Sequence, residues 1–248
     1  MQQGRFVITE NRPLTDDVRE MTLSGDVSAF MRPGQFAQIR IPGRPLRRPI
    51  SVCRLEDGAL TLVYKVVGAG TEDMSRMTPG TELDLLTGLG NGFDPAVSGG
   101  RPVLVGGGVG VPPLYELARA LLREGRNVTV ILGFNTSREI FYQKEFEALG
   151  AEVRLCTADG SAGIRGFVTA ALSPEDRFTR AYACGPEPML RAVCEAFDCP
   201  CSLSFESRMG CGFGACMGCS CRTLTGYKRI CKEGPVLEKE EILWPTRA

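Results

Sequence analysis

Eleven cysteines and no histidine constrain this 248-residue chain more than any other feature. Without histidine there is no Ser-His-Asp or Cys-His catalysis, no His-ligated zinc or iron and no imidazole general base. The cysteine count is odd, and the opening Met1-Gln2-Gln3-Gly4-Arg5 has no apolar core of an export signal. Both features argue against a disulfide scaffold and predict a cytoplasmic chain. Seven of the eleven thiols lie between Cys199 and Cys231. Dense thiols in a reducing compartment point to a soft metal or an iron–sulfur centre.

Four of them, Cys211, Cys216, Cys219 and Cys231, follow C-x4-C-x2-C-x11-C, which fits the plant-type spacing of a [2Fe–2S] cluster. Gly210, Gly212, Gly214 and Gly218 are interleaved with the first three, so the backbone can approach inorganic sulfide and donate N–H groups to it. A structural zinc site remains an alternative, although it ordinarily brings two short-spaced pairs and here there is one. Cys221 could exchange roles with Cys219. Cys199 and Cys201 read as structural.

The rest of the chain divides by pattern. Residues 5 to 97 read as short strands with Pro/Gly punctuation: 5–10, 18–23, 35–40, 59–67 and 82–86. That spacing predicts an antiparallel β-barrel or sandwich, with one helix over 71–77 capped by Thr71. After a Gly-rich connector, strand–helix alternation begins: strands at 102–105, 128–133, 152–156 and 180–184, helices at 112–124, 142–149, 166–172 and 187–196. This predicts a doubly wound parallel sheet. The last 48 residues show little regular pattern. The expected fold is therefore multi-domain, α/β plus β: a barrel over 1–97, an α/β unit over 98–200 and a small cysteine segment over 201–248.

Two further segments carry binding chemistry. Arg48-Pro49-Ile50-Ser51 offers a planar cation for a pyrophosphate and a hydroxyl for a ring or ribose. Val63-Tyr64-Lys65 follows, with an aromatic that could pack on a flavin, and then Gly70-Thr71 at a helix start suited to phosphate. In the α/β unit, Gly106-Gly107-Gly108-Val109-Gly110 follows a strand and opens a helix, the context for dinucleotide binding. It departs from G-x-G-x-x-G, and Leu132-Gly133-Phe134-Asn135 ends the next strand without the acidic residue that accepts a ribose 2′-OH. Cys184-Gly185-Pro186 closes a later strand, where ligands of such sheets bind. Lys plus Arg equals Asp plus Glu at 29 each, so nothing marks a nucleic-acid or polybasic membrane surface. No apolar run approaches the ~20 residues of a membrane helix.

Taken together, these segments resemble the ferredoxin–NADP reductase superfamily. With Met209-Gly210-Cys211-Gly212-x-Gly214-Ala215-Cys216-x-x-Cys219-x-Cys221 added, the chain is similar, over about residues 6–243, to the dihydroorotate dehydrogenase B electron transfer subunits of pyrimidine biosynthesis. The resemblance implies FAD on Arg48, Pro49, Ile50, Ser51, Val63, Tyr64, Lys65, Gly70 and Thr71. It implies NAD on Gly106, Gly107, Gly108, Gly110, Cys184, Gly185 and Pro186, and a [2Fe–2S] cluster on Cys211, Cys216, Cys219 and Cys231. It further implies a partner subunit with FMN that oxidises dihydroorotate, in a heterotetramer of two plus two. Electrons would run from that FMN through the cluster and FAD to NAD⁺, with no acid or base on this chain. Two alternatives stay open. One is a flavin/iron–sulfur subunit of another oxidoreductase, such as an NADH–ferredoxin transhydrogenase, a hydrogenase or a sulfide reductase. The other is a zinc-stabilised module without activity.

Overall fold

The computed structural model describes residues 1–244. Six strands, β1 (Gln2–Pro13), β2 (Val18–Ser24), β3 (Phe36–Ile39), β4 (Arg48–Glu56), β5 (Ala59–Lys65) and β6 (Glu82–Leu89), close an antiparallel barrel in the order β1-β2-β5-β4-β3-β6. Alternate residues point inward, as the pleat requires. Phe6 and Ile8, Met21 and Leu23, Leu60 and Leu62, and Leu83 and Leu85 fill the barrel with almost no exposure.

Helix α1 (Ala69–Ser75) follows β5. Thr71 is not its cap: Gly68 occupies that position and Thr71 is the third helical residue. The Thr71 hydroxyl accepts the N–H groups of Val67 and Gly68 and donates to the Gly68 carbonyl at 3.0 Å. A hydroxyl inside the first turn thus reaches back to the preceding loop, which local composition alone does not distinguish from a cap.

The second unit contains β7 (Pro102–Gly107), α2 (Pro112–Arg123), β8 (Thr129–Phe134), α3 (Gln143–Ala148), β9 (Glu152–Thr157), β10 (Ile164–Arg165), β11 (Arg180–Cys184) and α4 (Glu187–Ala196). The expected helix over 166–172 is only a 3₁₀ turn, Val168–Ala171. Gly166 precedes it at φ +125°, a conformation that cannot start a helix. The sheet runs β10-β9-β8-β7-β11 and continues past β11 into two strands of the cysteine segment. Apolar residues of α2 and α3 pack on one face and those of α4 on the other, the doubly wound arrangement.

The cysteine segment is more regular than its sequence suggested. Strand β12 (Cys201–Ser204) pairs parallel with β11, and β15 (Val236–Glu238) pairs antiparallel with β12. Both extend the sheet past residue 200. Between them β13 (Ser220–Thr223) and β14 (Gly226–Arg229) form a hairpin. Among the described residues no helix is long and apolar enough to cross a membrane.

Barrel and sheet share a core. Val18, Cys53 and Val63 pack with Leu114, Tyr115, Tyr142 and Phe146. Glu116 of α2 accepts the Leu55 N–H at 3.0 Å and Arg119 donates to the Leu55 carbonyl at 3.0 Å. The cysteine segment is clamped by Asn91. Its carboxamide donates to the carbonyls of Glu233 and Val236 and accepts from the Val236 N–H at 3.0 Å.

Candidate functional site

The barrel opens at one place. Strands β4 and β5 pair from Glu56–Ala59 up to Val52–Leu62, and the ladder ends there. Beyond it, Arg48–Ser51 pair only with β3 and Val63–Lys65 only with β2. The two segments expected to hold a flavin therefore flank a gap in the barrel wall. Arg48, Pro49, Ile50 and Ser51 are all half-buried. The Arg48 guanidinium lies against Gly70 so closely that a Cβ there would sit 2.2 Å from its Nε. Arg48 is thus brought to the first turn of α1, whose leading N–H groups have no intrahelical acceptor. A cation, open amides and a slot between parted strands suit a flavin with its pyrophosphate.

Strand parity places Tyr64 elsewhere. Val63 and Lys65 face out of the barrel, whereas the Tyr64 ring is 1% exposed inside it. Its hydroxyl donates to Asn11 at 3.2 Å. The ring offers no face to a flavin; only the Tyr64 backbone borders the gap. Lys65 ends β5 and pairs with Asp17 at 2.9 Å.

A cleft of about 570 Å³ lies at the ends of β7, β8 and β11. Strands β8 and β11 lie on opposite sides of β7, so this is the switch point where such sheets take ligands. Gly107, Gly108, Gly110, Gly185 and Pro186 line it, with Phe134, Asn135, Glu139, Phe167 and Lys65. Gly106 lies one residue back, packed on Val111 and Leu114. A Cβ on Gly110 would lie 2.2 Å from the Cys184 carbonyl oxygen, so glycine lets the two loops touch. Burial pushes the Cys184 thiol up to about 12, against the Ser204 hydroxyl; it stays a neutral thiol. Pro112 and Pro113 start α2 and carry no N–H, so a phosphate here rests on loop amides rather than on the helix terminus.

Glu139, which sequence reasoning passed over, also reaches this cleft. It lies beyond the β8 end, in the 3₁₀ turn Ser137–Glu139. Its carboxylate folds back to accept the Asn135 N–H at 3.2 Å and the Asn135 side-chain amide at 3.0 Å. The signal was present in the sequence, four residues after Asn135, but only the turn brings it to the strand end.

The four cysteines come as two pairs. A backbone N–H ties each pair: Cys211 donates to the Cys216 sulfur at 3.5 Å, and Cys231 donates to the Cys219 sulfur. The Cys211 sulfur accepts N–H groups from Ala215 at 3.2 Å and Cys216 at 3.4 Å. Partial burial opposes ionisation there, but these donors, with the Cys216 thiol, bring Cys211 down to about 6. Burial and then the neighbouring Cys219 raise Cys231 to about 12. The Cys219 sulfur accepts the Cys231 N–H at 3.4 Å. Cys221 instead lines a separate cavity with Arg222 and Thr223. Among the described residues no three Cys, Asp or Glu side chains converge on one point. Two thiol pairs ringed by N–H donors suit two irons bridged by sulfide better than one tetrahedral zinc.

The three regions adjoin. Lys65 borders both the barrel gap and the cleft. Gln38, directly opposite Pro49 across β3–β4, is wholly buried against the cysteine loop: a Cβ on Gly212 would lie 2.1 Å from its Nε2. Glu206, two residues past β12, lines the cleft at the start of that loop.

Comparison with known proteins agrees with this geometry. The family described as the iron–sulfur cluster binding domain of dihydroorotate dehydrogenase B matches residues 206–243. The oxidoreductase NAD-binding domain family matches residues 104–195. A dihydroorotate dehydrogenase B (NAD(+)) electron transfer subunit from Geobacillus sp. (strain WCH70) is 43% identical, with 98% of this chain and 99% of the relative covered. The protein of the same name from Bacillus pumilus (strain SAFR-032) is 41% identical, with 98% of each covered. A solved structure of an NADH-dependent reduced ferredoxin–NADP oxidoreductase, studied for flavin-based electron bifurcation, superposes with TM-score 0.88. It is 32% identical, with 96% of this chain and 90% of that one covered.

Proposed function

The chain belongs to the family of dihydroorotate dehydrogenase B electron transfer subunits, and on that premise we propose that it links a catalytic partner to NAD⁺ by way of a [2Fe–2S] cluster and FAD. It is an oxidoreductase subunit of pyrimidine biosynthesis, and dihydroorotate oxidation itself belongs to the partner. The partner of this reading carries FMN and associates as two plus two, in the cytoplasm.

The observation that carries the proposal is the contiguity of the three regions through Lys65 and Gln38. In this reading residues 1–97 hold FAD, 98–200 hold NAD and 201–248 hold the cluster. Arg48, Gly70 and Thr71 take the pyrophosphate, while Pro49, Ile50, Ser51, Val63, Lys65 and the backbone of Tyr64 border the ring. Gly107, Gly108, Gly110, Gly185 and Pro186 line the nicotinamide cleft, with Gly106 and Cys184 paired just behind them. Cys211, Cys216, Cys219 and Cys231 ligate the cluster through their thiolates.

Each group supplies what the protein cannot: NAD⁺ takes a hydride, a [2Fe–2S] cluster takes single electrons, and flavin does both. The chain itself binds, orients and insulates. Cys184, held neutral by burial, adds no charge beside the nicotinamide. No histidine is needed, because this subunit moves no substrate proton. Relatives above 40% identity over the whole chain favour this reading over a transhydrogenase, hydrogenase or sulfide reductase subunit.

The test is reconstitution. The loaded chain, mixed with an FMN-containing dihydroorotate dehydrogenase subunit, should form a stable complex that reduces NAD⁺ with dihydroorotate. Failure to form it, with transfer to ferredoxin instead, would favour the alternative.

A further inference from the structure

Strand β3 turns two side chains out of the barrel toward the cysteine segment. Ala37 and Ile39 fill the barrel, whereas Phe36 packs with Cys219, Ile230 and Cys231. Gln38 shares the outward parity of Phe36. It is wholly buried and lies directly opposite Pro49 of the flavin wall. Its Nε2 reaches the cysteine loop, where a Cβ on Gly212 would fall 2.1 Å from it. Gly212 directly follows Cys211, and its φ of +78° is one that glycine adopts freely.

This carboxamide is poorly matched within the chain. Its nitrogen meets a single acceptor, the Met209 sulfur at 4.0 Å. Among the described residues its oxygen has no hydrogen-bond partner. Gln35, three residues earlier and also buried, shows the contrast. Its oxygen accepts the N–H groups of Met31 at 2.7 Å and Arg32 at 3.1 Å, and its nitrogen donates to the Gly90 carbonyl at 2.8 Å. A buried amide left open costs stability, so an open one at the cysteine loop points to an acceptor that the chain alone does not supply. Thiolate and sulfide sulfurs accept hydrogen bonds and donate none, which suits the nitrogen end of Gln38.

We infer that Gln38 donates an N–H to a sulfur at the Cys211 corner of the cluster and thereby raises the cluster's reduction potential. The inference rests on the reading of Cys211, Cys216, Cys219 and Cys231 as ligands of a [2Fe–2S] cluster. Reduction places negative charge on the sulfurs, so a donor there stabilises the reduced form more than the oxidised one. Glycine at 212 leaves the amide room to pass the backbone.

The experiment is a redox titration of the full-length, cofactor-loaded chain, followed by electron-spin resonance. It is run on the wild type, Gln38→Met, Gln38→Asn and Gln35→Met. Methionine keeps the length and burial of Gln38 but cannot donate. Gln38→Met should make reduction of the cluster about tenfold less favourable, a shift of about 59 mV to lower potential for one electron. The flavin should not shift to match. Gln38→Asn draws the amide back by one methylene and should shift the cluster in the same direction. Gln35→Met should lower the denaturant midpoint and leave the potential where it was. A wild-type potential in whichever Gln38 variant holds the cluster would overturn the inference. An equal shift in Gln35→Met would overturn it too. So would a folded chain without a cluster in both Gln38 variants, since the residue would then only build the loop. Wild-type protein with no resonance signal of a reduced [2Fe–2S] centre would contradict the cluster assignment itself, a distinct result.

Discussion

The Tyr142 phenol donates a 2.6 Å hydrogen bond to the Glu20 carboxylate across the junction of barrel and sheet. Tyr142 adopts φ +65° to get there. Glu20 is 5% exposed and takes its second partner from Arg12 at 2.6 Å. Glu20 lies opposite Val63, which flanks the flavin gap, so the bond bears on how that side of the barrel meets the sheet. Tyr142→Phe keeps the ring packed on Tyr115 but leaves one carboxylate oxygen buried and unpaired. It should cost about 1–3 kcal/mol, read as a lower denaturant midpoint, with slower flavin reduction by NADH.

Arg48 and Gly70 should act as one unit. Arg48→Ala removes the cation, and Gly70→Ala pushes it away, since the new Cβ would fall 2.2 Å from Nε. Each should release FAD during gel filtration, while Gly100→Ala, where a Cβ meets nothing within 4 Å and the backbone is not left-handed, should not. Full flavin occupancy in both variants would remove the pyrophosphate assignment.

Cys216→Ser tests the cluster's place in the relay. Cys216 is exposed, unlike Cys219 and Cys231, so its loss spares the core. The variant should lose the electron-spin resonance signal of a reduced [2Fe–2S] centre and nearly all transfer to the partner. NADH oxidation by artificial dyes, which needs only FAD, should stay within about twofold. Equal loss of both activities would contradict the wiring.

Acid stability should depend on Asp176. Arg154 grips its two oxygens at 2.7 Å and 2.9 Å, and this bond holds the carboxyl below its ordinary range. The folded value lies under the unfolded one, so the stabilisation is complete above the unfolded value near pH 4. It fades as pH falls through the folded value. Asp176→Asn should cost roughly 1 kcal/mol at neutral pH and nothing at the acid end. Chemical denaturation of both proteins across that range reads the convergence.

Much of this was legible because local rules and tertiary structure agreed. Barrel strands such as 18–24 alternate at period two and end at Pro/Gly turns, so burial and pattern coincide. The cysteine spacing is read within one loop. What escaped depended on distant partners. The sequence points to Tyr64 as a flavin contact, but which residues of β5 face inward is set by its register with β2. Strands β12 and β15 are four and three residues long. They exist because β11 supplies an edge, which nothing local announces. Glu139 sits past its strand, and only the bond to Asn135 returns it to the cleft.

The central claim, that NAD(H), flavin and cluster form one conducting line in this chain, is tested most directly by a visible spectrum. The full-length protein is purified without air, and its spectrum is recorded before and after NADH is added. The account predicts flavin bands on a broad iron–sulfur absorbance, both bleached by NADH, with iron and acid-labile sulfide at two each per chain. A colourless protein with stoichiometric zinc, or a yellow one whose spectrum NADH leaves unchanged, would contradict it.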